Sequence, residues 1–203
     1  MSLSADLWAA NADLAKRILA HGFVRGLRDG SLPVQNFKGY VAQDAYFLEA
    51  FARAYAFCLA NSRSREDLYG FASLIAGVLQ ELKLHKSYAD RWQVDLTGVT
   101  PVEATRAYVD FLLETARRGN LGETIAAMTP CMRLYAYLGR TLAANNAAPL
   151  YSEWVKTYAD PGFEELAVQL ESLLDQHAED TEAVRANYRR AMELELGFFA
   201  ANV

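Results

Sequence analysis

Only two cysteines, Cys58 and Cys131, occur in 203 residues. Usage that sparse excludes a disulfide scaffold and reads as a reduced, cytoplasmic chain. Histidine is as scarce: His21, His85 and His177 are all there is. There is no His-Glu-x-x-His, no Cys-x-x-Cys, no glycine-rich phosphate loop and no Gly-x-Ser-x-Gly elbow. Zinc, nucleotide and serine-hydrolase chemistry are therefore without their usual motifs. No apolar run reaches the roughly 20 residues of a spanning helix, and the best stretch, Leu68 to Gln80, is short. The N-terminal segment has Asp6 and Asp13 and no basic flank before an apolar run, so no signal peptide is expected. Positive charge is also in short supply. The net charge is −5, which argues against nucleic acid or an anionic membrane as the main partner.

What is present is core material. The chain is 52% hydrophobic and 12% aromatic, which excludes a largely disordered chain. At this length folding removes roughly 70% of the unfolded surface from water. One domain over residues 1–203 is the expected organisation.

The apolar pattern is helical almost throughout. Leu7, Ala10, Leu14 and Ile18 share one helix face. His21-Gly22 ends that helix, with Gly22 as a left-handed cap. A short helix over 23–29 stops at Gly30. Val34, Phe37, Val41, Asp44, Leu48, Phe51, Tyr55 and Leu59 form one long stripe in which Asp44 is the only acid. Ser64 and Asp67 resemble a capping box and open a stripe of Leu68, Ala72, Ile75, Leu79 and Leu82. Residues 94–100 break the pattern. Thr100-Pro101-Val102-Glu103 reads as a helix start with Thr100 as cap. Further helices are expected to Gly119, from Asn120 to about Asn146 through Pro130, after Pro149, after Asp160-Pro161, and over 180–201. The result is an all-α bundle of about eight helices.

Few residues have the makings of chemistry. Cys131 follows Pro130, whose missing N–H should bend the helix and open space beside the thiol. Tyr135 lies four residues on, on the same face. The simpler reading of Cys131 is a small core residue, and Cys58 is read that way. Asp44 and Glu195 are acids within apolar patterns; each either faces water or is buried with a shifted pKa. Tyr108, Tyr135 and Tyr158 sit in apolar helical runs, as buried anchors with one polar end do. Glu81 and His85 share a helix face. A metal pair is one reading and a local polar contact the simpler one; no second such pair follows. A thiol, two carboxylates and an aromatic wall suit a flat, polar heteroaromatic ligand.

Longer strings go further. They are His21-x-Phe23-Val24-x-x-Leu27-x-x-Gly30-x-Leu32, Phe37-x-x-Tyr40-x-x-Gln43-Asp44-x-Tyr46-x-Leu48, Glu81 with His85, Pro130-Cys131-x-x-x-Tyr135, Tyr151-x-x-Trp154-x-x-x-Tyr158 and Glu195-x-x-Phe198-Phe199. In order and spacing this resembles the TenA family of thiaminase II, the aminopyrimidine aminohydrolases of thiamine salvage. The resemblance implies a haem-oxygenase-like helical fold, a homotetramer, a small-molecule aminopyrimidine substrate, and no metal or cofactor. It implies Cys131 as nucleophile, Glu195 as proton donor, and Asp44, Tyr135, Tyr158 and Tyr108 as pyrimidine-binding residues. It leaves His21 and His85 as structural. Gly197-Phe198-Phe199 departs from the Phe-Trp pair frequent in the family. Two other readings of the chain remain at this point. One is a metal-dependent or cofactor-free oxidase or oxygenase on the same fold, starting from Glu81 and His85; the other is a non-catalytic helical scaffold.

Overall fold

A computed structural model describes residues 2–144 and 148–203. Among the described residues there are ten helices and no strand. The first three are short: α1 (Leu3–Ala10), α2 (Ala12–Leu19) and α3 (Gly22–Asp29). Four long ones follow: α4 (Val34–Asn61), α5 (Arg65–Trp92), α6 (Glu103–Arg117) and α7 (Leu121–Ala143). The chain closes with α8 (Ser152–Ala159), α9 (Pro161–His177) and α10 (Glu182–Ala200).

Helix α7 is the centre. Residues 124–132 are all buried, more than two turns without a solvent face, which only a helix enclosed by others can satisfy. Helices α8, α9 and α10 pack against it, and α4 carries α5 and α6. The buried apolar side chains form one cluster reaching from Leu7 to Phe199. Each such side chain contributes about 1.5–3 kcal/mol when withdrawn from water. Arg133 of α7 locks α9 in place, with two bonds to Glu171 (2.7 and 2.6 Å) and one to Glu164 (2.8 Å). Gly139 lets α8 touch α7 directly. A Cβ there would run into the backbone carbonyl of Tyr158 and come within 2.6 Å of the Ala159 nitrogen.

Helix ends follow the capping signals in most places. Ser64, Asn120, Asp160 and Thr181 each accept a backbone N–H of the first turn they open. Gly30 and Gly119 take the left-handed conformation that terminates α3 and α6.

Four expectations are corrected. The first helix breaks at Asn11, a buried residue whose side chain donates to the Leu7 carbonyl and competes with the helical ladder. Ala10 is exposed there. Gly22 is not a left-handed cap: it is the first residue of α3, and His21 Nδ1 caps that helix by accepting the Phe23 N–H. Helix α6 begins at Glu103 with no side-chain cap from Thr100 or Val102. Gln43 of α4 secures that start instead, accepting the Val102 N–H and donating to the Thr100 carbonyl. The buried face of α5 is Phe71, Leu74, Val78, His85 and Tyr88, leaving Leu68 and Leu79 of the expected stripe 42% and 50% exposed. The expected helix end near Asn146 lies outside the described residues.

Candidate active site

Cys131 sits on the enclosed stretch of α7, 8% exposed, and Tyr135 one turn on is also buried. Pro130 cannot donate to the Ala126 carbonyl, yet α7 runs unbroken past it. Beside Cys131 lies a narrow cavity of about 10 Å³. Asp44 and Phe47 of α4, Glu81 of α5 and Tyr158 of α8 form its other sides. With Phe163 of α9, residues from five helices reach one space, which a bundle centre achieves and a single helix face does not.

Behind the thiol stands Glu195 of α10, 1% exposed. Tyr108 of α6 donates to Glu195 Oε1 at 2.8 Å. Burial pushes the Glu195 carboxyl up to about 8, even though hydrogen bonds from Tyr108 and Cys131 pull it down. Burial also pushes the Cys131 thiol well above its usual range, and the charges of Glu195, Glu81 and Asp44 add to this. The resting pair is a neutral thiol against a protonated carboxyl. Such a pair becomes nucleophile and acid only when an electron-poor ring accepts the proton.

On the other side, Asp44 is 3% exposed, and its Oδ2 lies 2.6 Å from His85 Nε2. The His85 Nδ1 faces the Glu81 carbonyl at 3.1 Å. Burial alone would lower the His85 pKa, but the Asp44 charge, its hydrogen bond and the Glu81 charge carry it up to about 9. At neutral pH His85 is therefore an imidazolium held between α4 and α5. The pairing expected within α5 is thus backbone-only, and the side-chain partner comes from α4. The Glu81 carboxyl turns instead to Tyr158, whose hydroxyl donates to Oε1 at 2.6 Å. Burial brings Glu81 up to about 7, against the lowering effect of His85.

Aromatic rings complete the walls. Tyr135 meets Tyr158 edge-on with centroids 4.7 Å apart and lies stacked on Phe199 at 5.7 Å. Phe47 packs on Tyr108 at 4.6 Å. Tyr40 joins the set through its hydroxyl, which donates to Tyr135 and accepts from Trp154 Nε1. Phe198 and Phe199 are both buried core rings.

The six residues singled out from the sequence meet here: Cys131, Glu195, Tyr108, Asp44, Tyr135 and Tyr158. Glu81, His85, Tyr40 and Phe47 join them. The four-residue spacing of Glu81 and His85 drew attention to that helix face, whereas nothing in the sequence pairs His85 with Asp44. His21 is a helix cap, His177 bonds Asp67 at 2.8 Å, and Cys58 is a buried thiol whose pKa burial raises to about 12. Both ring nitrogens of His85 are occupied by protein oxygens. Among the described residues no group of three or more His, Cys, Asp and Glu side chains is placed to hold a metal ion.

An all-α bundle with a thiol lining an aromatic cavity and a protonated carboxyl behind it has the parts for covalent and acid catalysis. Residues 8–203 match the TENA/THI-4/PQQC family, and the chain belongs to it. An aminopyrimidine aminohydrolase of Halalkalibacterium halodurans is 34% identical, over 88% of this chain and 83% of its own length. The mitochondrial bifunctional TH2 protein of Arabidopsis thaliana is 32% identical over 86% of this chain, which spans only 33% of that protein. The crystal structure of a TenA homologue from Pyrococcus furiosus superposes with a TM-score of 0.92 at 23% identity, covering 98% of this chain and 99% of that one. By its family and relatives the chain is a hydrolase.

Proposed function

We propose that this protein is an aminopyrimidine aminohydrolase of thiamine salvage. Its substrate on this reading is 4-amino-5-aminomethyl-2-methylpyrimidine, with thiamine as a second substrate, and its product the 5-hydroxymethyl pyrimidine. The observation that carries this reading is the Cys131 thiol held against the protonated Glu195 inside the aromatic cavity that Asp44 also lines. Homologues named aminopyrimidine aminohydrolase support it.

Glu195 protonates a ring nitrogen and, as carboxylate, takes the Cys131 thiol proton while the sulfur bonds to the ring carbon next to the substituted one; both protons return when the thiol leaves. Asp44 accepts from the exocyclic amine, and the electron pair released there expels the group on the methylene. Water adds to the methylene, the C–S bond breaks, and the aromatic ring returns. Covalent catalysis of this kind divides one poor displacement into two easier steps. Tyr135 and Tyr158 flank the ring.

The reading includes a cytoplasmic homotetramer. Two free thiols suit that setting, and the second apolar stripe of α5, with Leu68, Tyr69 and Leu79 exposed, suits a further copy of the chain. Light scattering tests the assembly. The activity is tested on purified protein with each substrate, following the hydroxymethyl product by chromatography. Cys131→Ser is expected to lower turnover by roughly 10³-fold or more while product still binds. Glu195→Gln is expected to lose turnover as well. Folded wild-type protein that makes no product from either substrate overturns the assignment.

A further inference from the structure

The cavity beside Cys131 adjoins a second space. An outer groove runs between α5, α8 and α9, and the two spaces share Glu81, Met132 and Phe163. A group that passes from the cavity to the groove passes these three residues, and Glu81 is the one of them that can carry a proton. Glu81 is partly open on the groove side, while its carboxyl is fixed inward by the Tyr158 hydroxyl at 2.6 Å. Glu195, the other protonated acid, lies on the far side of the thiol with Tyr108. The two acids therefore serve opposite sides of a bound ring.

We infer that Glu81 is a second catalytic acid–base, acting on the group that leaves and the water that replaces it. The inference rests on the aminohydrolase reading above. A substrate amine bound in this apolar space is favoured in its neutral form. As the methylene C–N bond breaks, the electron pair goes to nitrogen, Glu81 gives its proton to that nitrogen, and ammonia departs through the groove. Water then enters. Its oxygen bonds to the methylene carbon, and its proton passes to the Glu81 carboxylate, restoring the acid. The net change is exchange of amine for hydroxyl with one water consumed and one ammonia released. A thiazolium leaving group departs as neutral thiazole and needs no proton, so with thiamine Glu81 serves the water step alone: it enters that step as the carboxylate, takes the water's proton and releases it to solvent through the groove.

The groups that bear on Glu81 come from every side. His85 lies on its own helix, and Asp44, Tyr40 and Tyr55 are on α4. Cys131 is on α7 and Tyr158 on α8. Tyr88 lies further along α5, and Lys156 and Asp160 border the groove.

The test is first-turnover release of ammonia from the aminomethylpyrimidine and of thiazole from thiamine, across pH 5–9, with wild-type protein and Glu81→Gln. In the wild type, ammonia release is expected to fall as pH rises through about 7, where Glu81 loses its proton. In Glu81→Gln, ammonia release is expected to drop by roughly 10²-fold or more and lose that limb. First-turnover thiazole release is expected to stay within about threefold, while later turnovers slow. Equal losses for both leaving groups, unchanged ammonia release, or a wild type that frees thiazole but never ammonia overturns the inference. If the wild type frees only ammonia, loss of the limb in Glu81→Gln supports it and persistence overturns it. A wild type that releases neither overturns the functional assignment itself, and this inference with it. Should Glu81→Gln not fold, as judged by circular dichroism, Tyr158→Phe replaces it. That change removes a bond that lowers the Glu81 pKa, so the ammonia limb must move to higher pH; a fixed limb overturns the inference.

Discussion

Asp44 and His85 are joined at 2.6 Å, carboxylate to imidazole, across α4 and α5, with both residues almost wholly buried. Removing the cation would leave a buried carboxylate without its partner. His85→Ala is therefore expected to destabilise the fold by about 3–5 kcal/mol, read from urea denaturation. His85→Gln, which keeps a donor for Asp44, is expected to lose less. Equal stability of His85→Ala and wild type would show that the pair has no net weight.

Tyr108 holds the proton affinity of Glu195 down through its hydrogen bond. Tyr108→Phe should let the Glu195 carboxyl climb above about 8. The alkaline limb of kcat/KM that depends on protonated Glu195 should then move to higher pH, with a loss of rate because the carboxyl is no longer aimed. A limb that stays in place, or moves down, counts against Glu195 as the acid.

Three buried groups share one sign. Glu195, Glu81 and His85 all hold protons more tightly in the folded state, with values near 8, 7 and 9 against ordinary values of 4.5, 4.5 and 6.5. Between those limits the folded protein binds more protons than the unfolded chain, so stability falls as pH rises. The contribution is complete below pH 4.5 for the two acids and below 6.5 for His85, and is lost through the folded values. The melting temperature is expected to be several degrees higher at pH 6 than at pH 9. Glu195→Gln should flatten the slope. A melting temperature that rises over this window contradicts the arrangement.

Gly139 leaves no room for a methyl group against Tyr158 and Ala159. Backbone is the obstacle, so the helices must part. Gly139→Ala is expected to cost about 1–3 kcal/mol in stability and, by moving Tyr158, to reduce turnover of the aminopyrimidine. Thermal melts and the chromatographic assay check the two effects separately.

The helical class and the residues around Cys131 were legible because α4 and α7 each have one dominant pattern. Asp44 stands out as the single acid in the α4 stripe, and Cys131 lies beside Pro130, in the interior of α7. Helix α5 was not legible in the same way. It has apolar residues on two sides, and periodicity alone does not say which side meets α4 and α9. Asn11 looked like an ordinary helix position because the break depends on its own side chain reaching Leu7. The link from Asp44 to His85 crosses 41 positions, a distance at which spacing rules have nothing to say. Glu81 was visible only as a neighbour of His85; its place between cavity and groove is a property of three helices together.

Cys131 and Gly139 lie eight residues apart on one rod. The Cys131 sulfur and the seat of the Tyr158 phenol are therefore measured from the same ruler, about 12 Å of α-helix at 1.5 Å per residue. A drift of α7 within the bundle carries both along, so errors in their mutual placement come from helix stretch and bending rather than from any loop. Nature's tolerance at the sulfur is thus set where two backbones touch, two turns away.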